Sequence, residues 1–198
     1  MSIASRFAAP LLGAALATLA ACSDAPSAPR APLAPGNAPQ ASVLSSPVTA
    51  RVLLRSTPLV FSVRVSASIG KAGGSINVPG TGLTLVVPSG AVGAPTTFTI
   101  SAPAGRNVWY EFGPSGAKFA VPLVIRQDLS KTNLLGLDRS KFEGGYFMSG
   151  ARNESAGTAK VTEALPITFN ATGTELSFKV THFSGYMVST GRLDDTGF

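Results

Sequence analysis

Short runs in which apolar and polar residues alternate, separated by glycine and proline, make up much of this chain. The clearest run is GGSINVPGTGLTLVVPSGAV. Ile76 and Val78 fall on one face of a first strand, because side chains alternate across a strand with a period of two. Leu83, Leu85 and Val87 fall on one face of a second strand in the same way. The Pro-Gly-Thr-Gly between them is a connection that closes a hairpin, so this stretch predicts two paired strands.

The same alternation predicts further short strands along the chain. Pro122 interrupts one of them and indicates an edge or a bulge, because proline cannot donate to a strand ladder. Residues 129–142 are the least strand-like part and predict a loop with one helical turn. Turn residues roughly every 8 to 12 positions favour an all-β fold, a single antiparallel β-sandwich. The further strands are predicted at 59–69, 96–101, 107–112, 118–126, 145–149, 159–163, 167–170, 175–181 and 186–189.

The core of this sandwich follows from the apolar positions that share strand faces. A single cysteine excludes an internal disulfide, so core packing has to stabilise the fold. The side chains expected to point inward are Ile76, Val78, Leu83, Leu85, Phe98, Ile100, Phe119, Val124, Phe178 and Val180.

The N-terminal stretch has the layout of an export signal. Arg6 precedes an uncharged run, residues 7–21, that is rich in alanine and leucine. This run is shorter than the roughly 20 apolar residues that span a bilayer. It ends in Leu-Ala-Ala before Cys22, the only cysteine, and so resembles a bacterial lipoprotein signal. We expect a signal peptide over residues 1–21 and lipidation (diacylglyceryl and palmitate) of Cys22. Ordinary secretion with an incidental cysteine is the alternative.

The composition changes abruptly after Cys22. Prolines at positions 26, 29, 32 and 35 recur every third residue, and alanine and serine fill most of the gaps. Proline fixes φ near the polyproline II value, and this segment has few large apolar side chains to bury. Residues 22–47 are therefore predicted to form a semi-rigid stalk, and residues 48–198 the folded domain.

The hairpin stretch also resembles a known family. GGSINVP followed by GLTLVVPSGAV is similar to the opening of the ZU-five domain. That domain is the β-sandwich module of zonula occludens proteins, netrin receptors, ankyrins and the death-domain protein PIDD. The resemblance continues through YEFGPSG at 110–116 and FAVPLVI at 119–125, and returns in THFSGY at 181–186. It implies a ZU-five-like β-sandwich, in agreement with the strand pattern.

Within this resemblance, His182, Phe183 and Ser184 match a triplet at which PIDD and some relatives cleave themselves. The serine hydroxyl would attack the Phe183 carbonyl to form an ester, while the histidine moves the proton. The resemblance thus makes the three residues candidates for self-cleavage between Phe183 and Ser184. Structural roles are the alternative: a packed phenylalanine, a bend at the serine and a hydrogen-bonded histidine.

Other chemistry is sparse. Trp109 is a candidate platform for a sugar, since sugar rings stack on exposed aromatics. Tyr110 and Phe112 alternate with it, so this idea requires an exposed Trp109.

One histidine, no clustered carboxylates and no cofactor motif predict neither a metal site nor a cofactor. Lys and Arg outnumber Asp and Glu by 16 to 10 without a basic cluster. This charge distribution favours binding to anionic lipid or acidic envelope polymers, or simple solvation of the charges, over binding to nucleic acid.

Two function classes follow from the sequence. The leading one is a lipid-anchored, non-enzymatic interaction or structural module of the cell envelope, with an unknown protein or polymer partner. The competing one is a self-cleaving domain. In Gram-negative lipoproteins an aspartate directly after the lipidated cysteine favours the inner membrane. Here Ser23 follows Cys22 and Asp24 lies one residue further, so the outer membrane is favoured. We expect a monomer.

Overall fold

A computed structural model describes residues 41–193 of the chain, which form antiparallel strands and one short 3-10 helix, Arg139–Lys141. Over these residues no helix has the length and apolar character to span a membrane. The predicted signal peptide, Cys22 and most of the predicted stalk lie outside the described residues.

The first strands are β1 (Ser42–Val52), β2 (Leu54–Leu59), β3 (Val63–Ile69), β4 (Gly74–Val78), β5 (Leu83–Val87), β6 (Thr96–Ala102), β7 (Gly105–Asn107) and β8 (Trp109–Gly113). The remaining strands are β9 (Lys118–Asp128), β10 (Glu143–Phe147), β11 (Arg152–Asn153), β12 (Thr158–Leu165), β13 (Thr168–Phe169), β14 (Glu175–His182) and β15 (Gly185–Arg192).

Two antiparallel sheets pack together over a shared apolar core, which confirms the predicted β-sandwich. The large sheet has the strand order β1-β12-β10-β15-β8-β6-β3, with β11 added beside β12. The small sheet has the order β13-β14-β9-β5-β4. A separate two-stranded pair joins β2 and β7. The 3-10 helix lies in the segment for which the sequence predicted a loop with one helical turn.

The predicted hairpin is strands β4 and β5. They pair in register from Gly74 opposite Val87 to Val78 opposite Leu83, with the apolar face buried as expected. Thr81 closes the turn: its hydroxyl donates to the Val78 carbonyl at 2.8 Å and accepts from the Leu83 amide at 3.0 Å. Because both ends of the connection are bonded through one buried side chain, the hairpin has a single register.

The large sheet curls upon itself at one end. Strand β1 pairs with β12 and also with β15, so this border of the sheet is closed. A second, smaller core lies in this region and combines Val52 of β1, Val161 of β12 and Met187 of β15 with Trp109 and Phe147. Strand β8 therefore contributes Tyr110 to the main core and Trp109 to the second one.

Strand β1 begins at Ser42, inside the segment predicted as stalk, so the ordered domain starts earlier than residue 48. Ser42 and Val43 pair with β12, and pairing resumes at Val48 after a shift in register. Pro47 lies in this irregular part, where a missing backbone donor costs no ladder bond. Most side chains of the strand's first half are exposed, and such a strand leaves no alternating apolar signal.

Among the side chains predicted to point inward, only Val124 is not buried. On β14 the next paired residue after Val180 is His182, whereas their partners on β9 are Leu123 and Lys118. The extra residues on β9 form a bulge around Pro122, as the proline indicated. The buried residues on the two sides of the bulge, Phe119, Leu123 and Ile125, are those that a period of two places on one face. Val124 therefore lies half-buried on the outer face, and its predicted inward position was wrong.

The strand predicted at 59–69 begins only at Val63. Leu59 belongs to the preceding strand, and the chain bends between the two strands. Val60 and Phe61 lie in this bend and are 79% and 78% exposed. Strand alternation predicted Phe61 on the buried face; the bend overrides the alternation because the period of two holds only within a continuous strand.

Candidate functional site

The His-Phe-Ser triplet forms the crossover between the two sheets. Strand β14 ends at His182 in the small sheet, and β15 begins three residues later in the large one. Phe183 is 1% exposed and packs in the main core. Its ring centroid lies 4.8 Å from that of Phe119, edge-on, and 5.2 Å from that of Phe112. Phe183 is therefore a core residue whose ring packs against phenylalanines of both sheets.

Backbone hydrogen bonds hold the crossover against the connection between β8 and β9. The Phe183 amide donates to the Ala117 carbonyl at 2.9 Å, and the Gly116 amide donates to the Phe183 carbonyl at 2.9 Å. The Phe112 amide donates to the Ser184 carbonyl at 2.8 Å. The carbonyl that self-cleavage would attack thus already accepts a bond from a backbone N–H, the kind of donor that stabilises an oxyanion.

The His182 side chain is held by two groups from the large sheet. Its Nε2 lies 2.9 and 3.1 Å from the two carboxylate oxygens of Glu163 on β12. Its Nδ1 lies 3.2 Å from the hydroxyl oxygen of Tyr186, which also donates to the His182 carbonyl at 2.6 Å. The ring of Tyr146 meets the imidazole edge-on, with centroids 4.5 Å apart. The imidazole therefore links the small sheet to three residues of the large sheet.

The hydrogen-bond roles in this cluster follow from the donors available. A carboxylate only accepts, so Nε2 carries the proton that faces Glu163. In a neutral imidazole the basic nitrogen is then Nδ1, which lies against the Tyr186 oxygen. Burial, together with the Glu163 and Tyr146 charges, raises the pKa of the Tyr186 phenol far above its usual range. Tyr186 thus stays a neutral donor near neutral pH.

Ser184 borders a small cavity of about 170 Å³ beside the crossover. Its hydroxyl forms no hydrogen bond to any group in residues 41–193, while its carbonyl is bonded as described above. The cavity has two aromatic walls and a rim of hydroxyl groups and one carboxylate. Its lining consists of Glu111, Phe112, Ser115, Phe147, Ser149, Ser184 and Gly185.

The crossover contains two of the three parts that self-cleavage requires. The Ser184 hydroxyl and the donor on the Phe183 carbonyl are in place. A general base must lie within hydrogen-bond reach of the proton it takes. Both ring nitrogens of His182 instead bond to Glu163 and Tyr186. In this arrangement the histidine acts as a link between the sheets and does not contact the serine hydroxyl.

Trp109 does not meet the condition for a sugar platform, because its side chain is 1% exposed. The Arg152 guanidinium lies 5.3 Å from the indole ring, and Phe147 packs edge-on with ring centroids 6.4 Å apart. Arg152 in turn bonds to Glu111 at 3.0 Å. The alternation with Tyr110 predicted one buried set of aromatics; both sets are buried because core residues cover this strand on both faces.

Sequence reasoning missed a buried polar network at the closed end of the hairpin. Arg55 is 1% exposed, bonds to the Asn107 carbonyl and lies 5.5 Å over the Tyr110 ring. Tyr110 donates to Gln127 at 2.7 Å, and the amide of Gln127 donates to the Thr81 carbonyl at 2.9 Å. Burial raises the pKa of the Tyr110 phenol, although the nearby Arg55 charge opposes the shift. The network links the hairpin turn to strands β2, β8 and β9.

Glu163 was also missed, since it lies 19 residues before its partner His182 and no spacing rule connects them. The part of the chain from 41 to 193 contains no group of three or more His, Cys, Asp or Glu residues placed to hold a metal ion. Cys22, the predicted lipidation site, lies outside the described residues.

No family model matches this chain, and no curated protein matches it either. The ZU-five-like domain and the lipoprotein signal stay predictions from the sequence motifs.

Proposed function

We propose that this chain is a lipid-anchored protein of the bacterial cell envelope that presents a non-enzymatic β-sandwich as an interaction or structural module. The observation that carries the anchor is the position of Cys22, the only cysteine, directly after an uncharged run of small and apolar residues. One acyl chain gives only marginal membrane binding, so stable anchoring requires the several chains of a lipoprotein cysteine. Ser23 after the cysteine favours the outer membrane. The ZU-five-like motifs support a role in protein contacts.

The interaction role rests on the bend between β2 and β3. Val60 and Phe61 are adjacent there, and both are more than three-quarters exposed. Aromatic residues are enriched in protein interfaces, where they supply large contact area with few rotatable bonds. Exposure of both side chains to water is unfavourable in the free domain, because their apolar surface is not buried. Contact with a partner would bury that surface. This bend is the candidate contact point.

The anchor predicts the outcome of replacing Cys22 with serine. We expect Cys22→Ser to abolish membrane association and to leave the unprocessed precursor or a soluble form, because serine cannot form the thioether that holds the lipid. Fractionation after a high-salt wash, which screens the basic surface, measures this. Ser23→Ala is the matched control and should stay in the membrane fraction. A Cys22→Ser variant that remains there after the wash would contradict the lipid anchor.

Self-cleavage between Phe183 and Ser184 is the second candidate. It is favoured by the Gly116 amide on the Phe183 carbonyl and by the free hydroxyl of Ser184. The hydroxyl oxygen would attack the carbonyl carbon, the peptide C–N bond would break, and the hydroxyl proton would end on the new amine of Ser184. Water would then hydrolyse the ester and restore the hydroxyl. His182 would have to leave Glu163 and Tyr186 to carry the proton.

Intact mass under denaturing conditions separates the two candidates. We expect one uncleaved mass for the wild type and for Ser184→Ala, since no base contacts the serine. Ser115→Ala, at the rim of the same cavity, is the matched control. If the wild type instead releases residues 184–198, and hydroxylamine accelerates this while Ser184→Ala abolishes it, the second candidate replaces the first. Denaturation is necessary because the released segment contains β15, which remains paired in the native sheet.

A further inference from the structure

One border of the large sheet is open. Within residues 41–193, strand β3 pairs only with β6, and no other backbone hydrogen bond reaches it. The opposite border is closed, because β1 returns to β15. The border strands of the small sheet are shorter: five residues in β4 and two in β13, against seven in β3. An open strand of this length is a template for pairing with another strand.

The backbone groups that face the open side can be identified. The Ser66 hydroxyl donates to the Phe98 carbonyl at 3.2 Å, so this carbonyl of β6 faces β3. Phe98 lies opposite Ala67, which therefore bonds to β6. Since backbone groups alternate along a strand, Arg64, Ser66 and Ser68 direct their N–H and C=O groups to the open side.

Strand β3 also lacks the features by which proteins usually prevent an open border strand from pairing with another strand. It has no proline, its register with β6 is regular over all seven residues, and its one charge is Arg64. Lysines, prolines and bulges are the common ways to prevent pairing at such a border. Val63, Val65 and Ala67 on its inner face are only partly buried, so a further strand would cover apolar surface as well.

We propose that two copies of this chain pair through β3, antiparallel and with Ser66 opposite Ser66 of the other copy, which joins their large sheets. This pairing gives the proposed interaction module its partner, a second copy, and replaces the monomer expected from the sequence. It rests on the proposed interaction role and is independent of the lipid anchor.

The strand is self-complementary in this register. The outward-facing residues meet each other: Ser66 opposite Ser66, and Arg64 opposite Ser68 at both ends. Each such pair exchanges two backbone hydrogen bonds, so the interface contains about six. The two arginines lie four residues apart along the strand direction, about 14 Å at roughly 3.4 Å per residue. That exceeds the Debye length of about 8 Å at physiological salt, so like charges do not oppose the pairing.

Sedimentation velocity of the full chain in mild detergent tests the pairing. The chain carries Cys22→Ser, so that association is measured without the lipid. We expect the sedimenting mass to double as concentration rises. Ser66→Pro removes the outward N–H at the two-fold axis and should return a single-chain mass. Ser66→Thr keeps that N–H and is the matched control, which should still double.

A cross-link provides a second measurement that does not depend on how well the proline variant folds. Residues opposite each other in a bonded pair have Cα atoms about 5.5 Å apart, within the range of about 4.4–6.8 Å for a disulfide. In the Cys22→Ser chain, Ser66→Cys should cross-link to itself under mild oxidation. Ser155→Cys, exposed in the turn before β12, should not.

A single-chain mass at every concentration, with no Ser66→Cys cross-link, would overturn the proposal. So would a dimer that Ser66→Pro does not affect and Ser66→Cys does not capture, since it would use another surface. An extended segment of a different envelope protein that pairs with a monomeric β3 would also replace the second copy as the partner. In that case the interaction role stands and only this inference fails, because the Cys22→Ser fractionation tests the anchor separately.

Discussion

Replacing Phe183 with alanine is expected to lower the free energy of unfolding by about 4 kcal/mol, the range typical of a fully buried phenylalanine. The ring packs against Phe98, Phe112 and Phe119 with centroids 4.8 to 5.7 Å apart. These three side chains come from both sheets, so the cavity would lie at the interface between them. The surrounding strands cannot close it without a shift of one sheet against the other.

Chemical denaturation of Phe183→Ala measures this loss. Phe61→Ala is the matched control, because it removes the same ring from a site that is 78% exposed and should change stability by less than about 0.5 kcal/mol. A loss of under about 1 kcal/mol at Phe183 would mean that the crossover does not contribute to the core. The result also bears on self-cleavage, since a rigid core residue restricts the motion that its carbonyl would need.

Replacing Gly185 with alanine is expected to destabilise the domain by about 3 kcal/mol, at the upper end of what overpacking usually costs. Gly185 lies directly opposite Phe147 in the pairing of β15 with β10. A Cβ at this position would lie 2.2 Å from Cε2 of Phe147 and 2.6 Å from two further ring atoms. The ring is fully buried and packs against Trp109, so a Cβ this close forces it out of its packed position.

Gly93→Ala is the matched control for this prediction. A Cβ there meets no atom within 4 Å, so thermal unfolding should be nearly unchanged. Combining Gly185→Ala with Phe147→Leu should cost less than the sum of the two single changes, because the smaller side chain vacates the space that the new methyl group needs. Additive costs would show that the clash is not the cause.

The sequence by itself determined the hairpin, the irregular position in β9 and most strands from β3 onward, whereas β1 and β2 were not predicted. Alternation places Ile76 and Val78 on the core face, and Pro122 marks an irregular position, because both signals act within a few neighbouring residues. Phe61 lies in a bend, where the period of two no longer applies. Val124 was wrongly assigned to the core face, because the period of two from Phe119 places Leu123 and Ile125 there instead.

Only the tertiary structure decided what the candidate residues do. Trp109 is buried because a second core covers the other face of its strand, and that core depends on β1 closing the sheet more than 50 residues away in sequence. His182 is directed to Glu163 by the packing of β14 against β12. Contacts between residues far apart along the chain have no local pattern, because they are set by which strands become neighbours. The sequence therefore identified the triplet, and the folded sandwich determined that its histidine faces a carboxylate and a phenol.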